Sequence, residues 1–333
     1  MVRRTGMGTL PARLLIDMPN WLGDFVHALP AVDRLLDANH HGTTILLVPA
    51  NHAPLARMLG TDAITRRGGE GWWWARRRLR GRFDVALSVR NSTRARLLLA
   101  GGRAARRLAG RGGFAGLLGI ETFPIDRTRH QRHDLDAALL RLGVAPVDGI
   151  PTRLPVGEVL ATVGSRRLEQ LAGGRPAAAI LPASHAMPEK RWPIEHFGEL
   201  GANLGERGLA PLVLVGPGEG ELGCEVAARA GGVPVPTIWP LDEIAALLAG
   251  CVVAVGNDSG LTHLAAAAGC PTVALFGPTD PARTAPAGDA RMVRCPEGGT
   301  LGDLTPAEVL AVVLAVLGPP SSASRPRLLD TGA

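Results

Sequence analysis

Residues 252–276, VVAVGNDSGLTHLAAAAGCPTVALF, run through an apolar stretch, a polar loop bounded by glycines, an alanine-rich stretch and a second apolar run. The short apolar runs Val252–Val255 and Thr272–Phe276, each bounded by turn residues, read as strands buried on both faces, and Leu261–Ala268 between them as a helix. Strand and helix alternating through short loops mark a parallel sheet covered by helices. The same alternation extends outward. Upstream, 176–181 and 211–215 read as strands and 194–208, 221–230 and 241–249 as helices, with a closing helix at 306–317 downstream. The first half repeats the pattern, with strands at 14–16, 44–48 and 83–89 and an amphipathic helix at 24–37. A mixture of Pro, Gly and polar residues near 145–160 marks a linker. The expected architecture is α/β: two doubly wound Rossmann-like domains facing across a cleft, residues 1–155 and 156–318. The Pro-, Ser- and Arg-rich stretch 319–333 reads as a disordered tail.

A length of 333 residues suits two domains of about 150 each, and 46% apolar residues supply both cores. No apolar run reaches the roughly 18 residues that span a bilayer, and Met1–Leu10 lacks the apolar region of a signal peptide. Cys224, Cys251, Cys270 and Cys295 form no CxxC pair, which suits reduced thiols. A cytoplasmic protein is expected. Charge divides unevenly: residues 1–150 carry 23 Arg against 12 acidic residues, a net of +11, and the remainder carries −5. Either the first half meets an anionic partner, or its arginines cover solvated faces.

Ligands of doubly wound sheets bind beyond the carboxyl ends of strands, so the loops there carry the chemistry. After the first strand comes 17–30, DMPNWLGDFVHALP. Gly23 permits a tight turn, and Asp24 falls where a helix begins. A carboxylate there caps the helix, or takes a proton from a sugar hydroxyl. His27, one turn on, orients Asp24 or a substrate, or packs. The second loop, 182–193, reads PASHAMPEKRWP. Lys190 is the only lysine beside 35 arginines, which suggests a site needing a compact point charge on a phosphate. In the third loop, Gly256–His263, Asp258 or Ser259 caps the following helix. Its free first-turn N–H groups suit a diphosphate. Arg90, Ser92 and Arg94 follow the strand 83–89 and offer donors to phosphate or sugar.

Two patterns mislead. Gly218–Gly223 spells GxGxxG, but Glu219 and Glu221 would repel a pyrophosphate in that turn. Asp134-Leu135-Asp136 spells a metal-binding DxD, yet lies in a segment that reads as a solvated capped helix. No metal and no cofactor are expected. Trp72–Arg82, WWWARRRLRGR, mixes indoles with positive charge, which suits either an anionic membrane interface or burial of the indoles.

Three stretches, NWLGDFVHALPAV (20–32), PEKRWPIEHF (188–197) and GNDSGLTHLAAAAGCPTVALFGPTDP (256–281), resemble glycosyltransferase family 9, the ADP-heptose:lipopolysaccharide heptosyltransferases. They stand in family order across nearly the whole chain. The segment 183–187 departs from the Thr or Gly-Ala that members often carry before the lysine. The resemblance implies a GT-B fold and inverting transfer of a heptose from ADP-heptose to a lipid A-linked inner-core acceptor. It implies Asp24 as base, with Lys190 and Ser184 on the donor diphosphate. Asp258, Ser259, Gly260 and His263 would lie around donor sugar and phosphates, Glu221 at the ribose and Trp239 beside adenine. On the acceptor side, Asn20, His27, Arg90, Ser92 and Arg94 are the candidates. The implied partners are a nucleotide-sugar, an anionic glycolipid and the inner face of the cytoplasmic membrane, with no nucleic acid. The alternatives are a GT-B transferase of another nucleotide-sugar in envelope glycan synthesis and a non-catalytic sugar-nucleotide-binding protein.

Overall fold

The computed structural model describes residues 13–68, 70–184, 188–277, 279–288 and 290–318. The expected tail 319–333, the segment Met1–Leu10 and His185–Met187 lie outside the described residues.

The first half comprises β1 (Arg13–Asp17), α1 (Leu22–Ala38), β2 (Thr43–Pro49), α2 (Ala53–Met58), β3 (Asp62–Arg66) and α3 (Trp72–Arg78). It continues with β4 (Val85–Ser88), α4 (Thr93–Gly102), β5 (Arg106–Gly110), β6 (Glu121–Phe123) and α5 (Asp136–Arg141). The second half holds α6 (Glu158–Ala172), β7 (Ala177–Leu181), α7 (Ile194–Glu206), β8 (Ala210–Val213), α8 (Gly220–Ala230) and β9 (Val233–Pro234). After these come α9 (Leu241–Ala249), β10 (Val253–Asn257), α10 (Gly260–Ala267), β11 (Thr272–Phe276), α11 (Pro281–Thr284), β12 (Ala290–Arg294) and α12 (Pro306–Leu317).

Both six-stranded sheets are parallel and share one strand order: β3-β2-β1-β4-β5-β6, and β9-β8-β7-β10-β11-β12. The order reverses between β1 and β4 in one sheet and between β7 and β10 in the other. At those two switch points the connecting helices depart to opposite faces and leave a crevice. The four loops singled out from the sequence follow β1, β4, β7 and β10, the strands that flank the two crevices. One apolar cluster runs from β1 and α1 through Leu264 and Ala265 of α10 to α9, so the halves meet over packed side chains.

Several local expectations are corrected. Helix α1 starts at Leu22, with Trp21 at its cap position, so Asp24 is the third helical residue and caps nothing. Asp136 is buried, pairing with Arg129 at 3.0 Å and accepting the Val147 N–H, while Asp134 pairs with Arg283. The DxD-like pair is therefore tied into the protein, not solvated. Helix α6 begins inside the expected linker. A Cβ at Gly164 would lie 2.5 Å from the Ala246 carbonyl oxygen, so glycine is what lets α6 press on α9. Arginines of the first half are not all on solvated faces: Arg66 is buried against Asp17 and Asn20, and Arg96 against Asn91 and the Gly110 carbonyl. Cys224 is exposed, while Cys251, Cys270 and Cys295 are buried.

Candidate active site

The site is assembled from helix starts that converge from the two sheets. The first turns of α1 and α10 abut across the cleft, and glycine makes the approach possible. A Cβ on Gly260 would stand 2.8 Å from Leu22 Cβ and 3.2 Å from the Gly23 nitrogen; one on Gly23 would stand 3.1 Å from His263 Cδ2. Behind this contact the rings of His27 and His263 meet edge-on with centroids 4.6 Å apart, and His130 lies 5.2 Å from His27 on the other side. Burial, with His263 and His130 beside it, brings the His27 imidazole down to about 2, so it is neutral at physiological pH.

On the second sheet, Asn257 at the end of β10 ties two loops together. Its amide donates to the Pro182 carbonyl at 2.7 Å and its oxygen accepts the Trp192 N–H at 3.0 Å. Trp192 is buried, and its indole N–H donates to the Leu304 carbonyl. This anchors the short 3₁₀ turn Pro188–Lys190 over the start of α10. There Lys190 Nζ lies 2.9 Å from Asp258 Oδ2, Thr279 Oγ1 donates to the same oxygen at 2.8 Å, and His263 Nε2 stands 3.2 Å from Oδ1. Burial would raise the Asp258 carboxyl, but the bonds from His263 and Lys190 bring it down to about 2. Asp258 is thus an ionised anchor for Lys190 and not the helix cap. Ser259 holds the cap position without bonding a backbone N–H, which leaves the first turn of α10 uncapped.

A cavity of about 850 Å³ spans the cleft, lined by Asn20, Asp24 and His27 from one half and by Ser184, Lys190, Trp239, Asp258, Ser259, Gly260 and His263 from the other. A second cavity of about 260 Å³ lies under the β4–α4 loop, with Arg90 and Ser92 in its wall. Asn20, Trp21, Asp24, His27 and Gln131 line both, so Asp24 stands where the two cavities join. Its Oδ1 accepts a hydrogen bond from Gln131 Nε2 at 2.7 Å.

Not every candidate is brought to the cavity as a free group. Arg90 is held by the buried Asp17 at 2.8 Å, and Ser92 caps α4 by accepting the Ala95 N–H. Arg94 is exposed and Glu221 sits exposed on the first turn of α8; neither lines either of these two cavities. Glu219 lines the large cavity instead, its carboxylate accepting the Gly216 N–H at 3.1 Å. Trp239 lines the same cavity, with the Arg167 guanidinium 4.1 Å above its ring. Gln131 was not apparent from the sequence: it belongs to no spaced motif and matters through Asp24, 107 residues away, whereas Thr279 lies in the family-like stretch 256–281 and bonds Asp258. Among the described residues, no group of three or more His, Cys, Asp or Glu side chains is placed to hold a metal ion.

The sequence profile of glycosyltransferase family 9 (heptosyltransferase) matches residues 72–300. Lipooligosaccharide heptosyltransferase 2 of Haemophilus ducreyi is 27% identical over 315 residues, covering 87% of this chain and 90% of that protein. Lipopolysaccharide heptosyltransferase 2 of Escherichia coli K12 is 27% identical over 349 residues, covering 92% and 98%. Among solved structures, the E. coli ADP-heptose LPS heptosyltransferase II superposes with a TM-score of 0.80 at 26% identity, covering 92% of this chain and 98% of that one.

Proposed function

The chain belongs to glycosyltransferase family 9, and on that premise we propose that it transfers a heptose, with inversion, from ADP-heptose to an inner-core, lipid A-linked acceptor. The observation that carries this reading is the position of Asp24 at the junction of the two cavities. Residues 156–318 hold the donor in the large cavity, and residues 1–155 receive the acceptor in the small one. Heptose and ADP come from the relatives: the similar proteins are heptosyltransferases, and the E. coli structure is of an ADP-heptose enzyme.

Asp24 accepts the proton of the acceptor hydroxyl as oxygen attacks the anomeric carbon from the face opposite the leaving ADP. Negative charge then grows on the diphosphate. Lys190, pre-set by Asp258, and the uncapped N–H groups of α10 face that charge, so they act more strongly on the transition state than on the bound donor. Ser184 adds a hydroxyl beside them in the same wall, and Trp239 supplies a flat apolar surface for the base. The abutment of Gly23 and Gly260 keeps the reacting groups close and excludes water. Thermal unfolding against a panel of nucleotide-sugars tests the donor assignment. ADP-heptose should raise the midpoint at concentrations where UDP- and GDP-sugars do not, because binding to the native state stabilises by mass action. A larger shift with another nucleotide-sugar would replace it.

The acceptor is drawn from a membrane surface, and α3 suits that contact. Trp73 is 73% exposed, with Arg77, Arg78, Arg80 and Arg82 exposed beside it, while Trp72 and Trp74 are half-buried. No helix among the described residues is long and apolar enough to cross a membrane, so on this reading attachment to the inner face is peripheral. Flotation with vesicles containing phosphatidylglycerol should capture the protein, and Trp73→Ser should weaken capture. Equal capture by neutral vesicles would exclude this surface.

A further inference from the structure

The stretch between β6 and α5 is gripped from across the cleft on both sides of Gln131. Arg283 of α11 donates from Nη1 to the Arg129 carbonyl at 2.7 Å and from Nη2 to Asp134 Oδ2 at 2.6 Å. Between those two points, His130 Nε2 lies 2.8 Å from the Ala285 carbonyl. His130 Nδ1 accepts the Arg132 N–H, so Nε2 carries the proton and donates. Gln131, inside the bracketed stretch, reaches the other way and donates to Asp24 Oδ1. The grip begins close to the donor loop: Thr279, bonded to the oxygen of Asp258 that holds Lys190, lies four residues before Arg283.

The chemistry of the pair is specific. A carboxylate acting as base needs one oxygen free for the incoming proton and a fixed orientation of the other. An arginine bonded to it would orient it but would also favour its ionised form and weaken it as a base. A glutamine amide orients without a charge and without titrating. In a chain with 35 arginines, a neutral amide at this point is a meaningful exception.

We propose that Gln131 is a positioning residue for Asp24, and that the Arg283 clasp presents it. The donor side of the cleft thereby sets the geometry of the base on the acceptor side. This inference rests on the reading of Asp24 as the base. The test is a set of full-length variants assayed with ADP-heptose and an inner-core acceptor: Gln131→Ala and Arg283→Ala, alone, together, and each combined with Asp24→Asn. Expected is a fall in kcat of about tenfold for each single variant, with donor affinity by calorimetry and acceptor KM changed less than twofold. The pair should be no worse than either alone, and neither change should cost anything further in the Asp24→Asn background. A kcat within twofold of wild type for Gln131→Ala, or the same fold-loss in the Asp24→Asn background, would overturn the proposal. Gln131→Glu keeps the shape but has no N–H to give, so retention of kcat by that variant would overturn it as well. A wild-type chain that transfers no heptose, or full activity of Asp24→Asn, contradicts the functional reading itself. A working wild type beside an indifferent Gln131→Ala contradicts only the clasp.

Discussion

Lys190 Nζ lies 2.9 Å from Asp258 Oδ2, so the only lysine of the chain is held by the carboxylate at the start of α10. The pair is mostly buried, with the lysine side chain 17% and the carboxylate 5% exposed. The ammonium is therefore aimed before any donor arrives, and the cost of ordering it is met by the fold.

Lys190→Ala should weaken nucleotide-sugar binding at least tenfold, the loss of one charge-assisted bond to phosphate. Lys190→Arg should restore little of it, because a planar fork cannot occupy the place of a point charge between Asp258 and the ligand. Titration calorimetry with the donor measures both. Unchanged affinity in Lys190→Ala would make the lone lysine an accident of composition.

Gly260→Ala should impair transfer more than donor binding. The added methyl meets Leu22 Cβ at 2.8 Å, so α1 and α10 must move apart by several tenths of an ångström. That displacement separates Asp24 from the donor, and small misplacements cost heavily in rate. A kcat reduction of about tenfold with donor affinity within twofold is expected. Equal losses in both would point to damage of the donor site alone.

The buried histidines make stability pH-dependent. His27, facing His263, His130, Asp258 and Arg283, falls to about 2, and His52 to about 4 through burial and Arg66. Both are neutral in the fold and protonate near 6.5 when unfolded, so the unfolded chain binds more protons below that pH. Stability should fall below about pH 6, by up to about 1.4 kcal/mol per pH unit for each histidine, partly offset down to about pH 4 by Asp33, whose carboxyl is raised to about 6 in the fold by burial and Asp37. Asp258 acts in the same direction as the histidines at lower pH, its contribution present above 3.8 and lost as pH falls toward about 2. Thermal midpoints at pH 7.5, 6 and 5 measure the slope, and His27→Gln should make it shallower. A pH-independent midpoint for the wild type would refute the account of these histidines.

Much of this was legible in the residues. The β10–α10 unit declares itself because a fully buried parallel strand is an unbroken apolar run and its loop is bracketed by glycines. Lys190 stood out because arginine replaces lysine everywhere else and because it lies in the family-like stretch 188–197. What stayed hidden depends on contacts between distant segments. Asp24 looked like a cap until α1 was seen to start two residues earlier. Arg90 reads as a donor facing the ligand, and what the sequence does not reveal is that the buried Asp17, 73 residues away, holds it in the wall of the smaller cavity. The resemblance singles out Glu221 for the ribose, but the turn before α8 points Glu219 inward and leaves Glu221 in solvent. Gln131 carries no motif; its meaning comes from Asp24, 107 residues distant.

The central claim is that Asp24 is the base of a heptose transfer, and the most direct measurement compares wild type with Asp24→Asn. Asparagine keeps the shape and still lines both cavities but cannot take the proton. With ADP-heptose and an inner-core acceptor, the account predicts unchanged donor affinity by calorimetry and a fall in transfer of at least ~100-fold in single-turnover reactions. Transfer by Asp24→Asn at a rate near that of the wild type would contradict it.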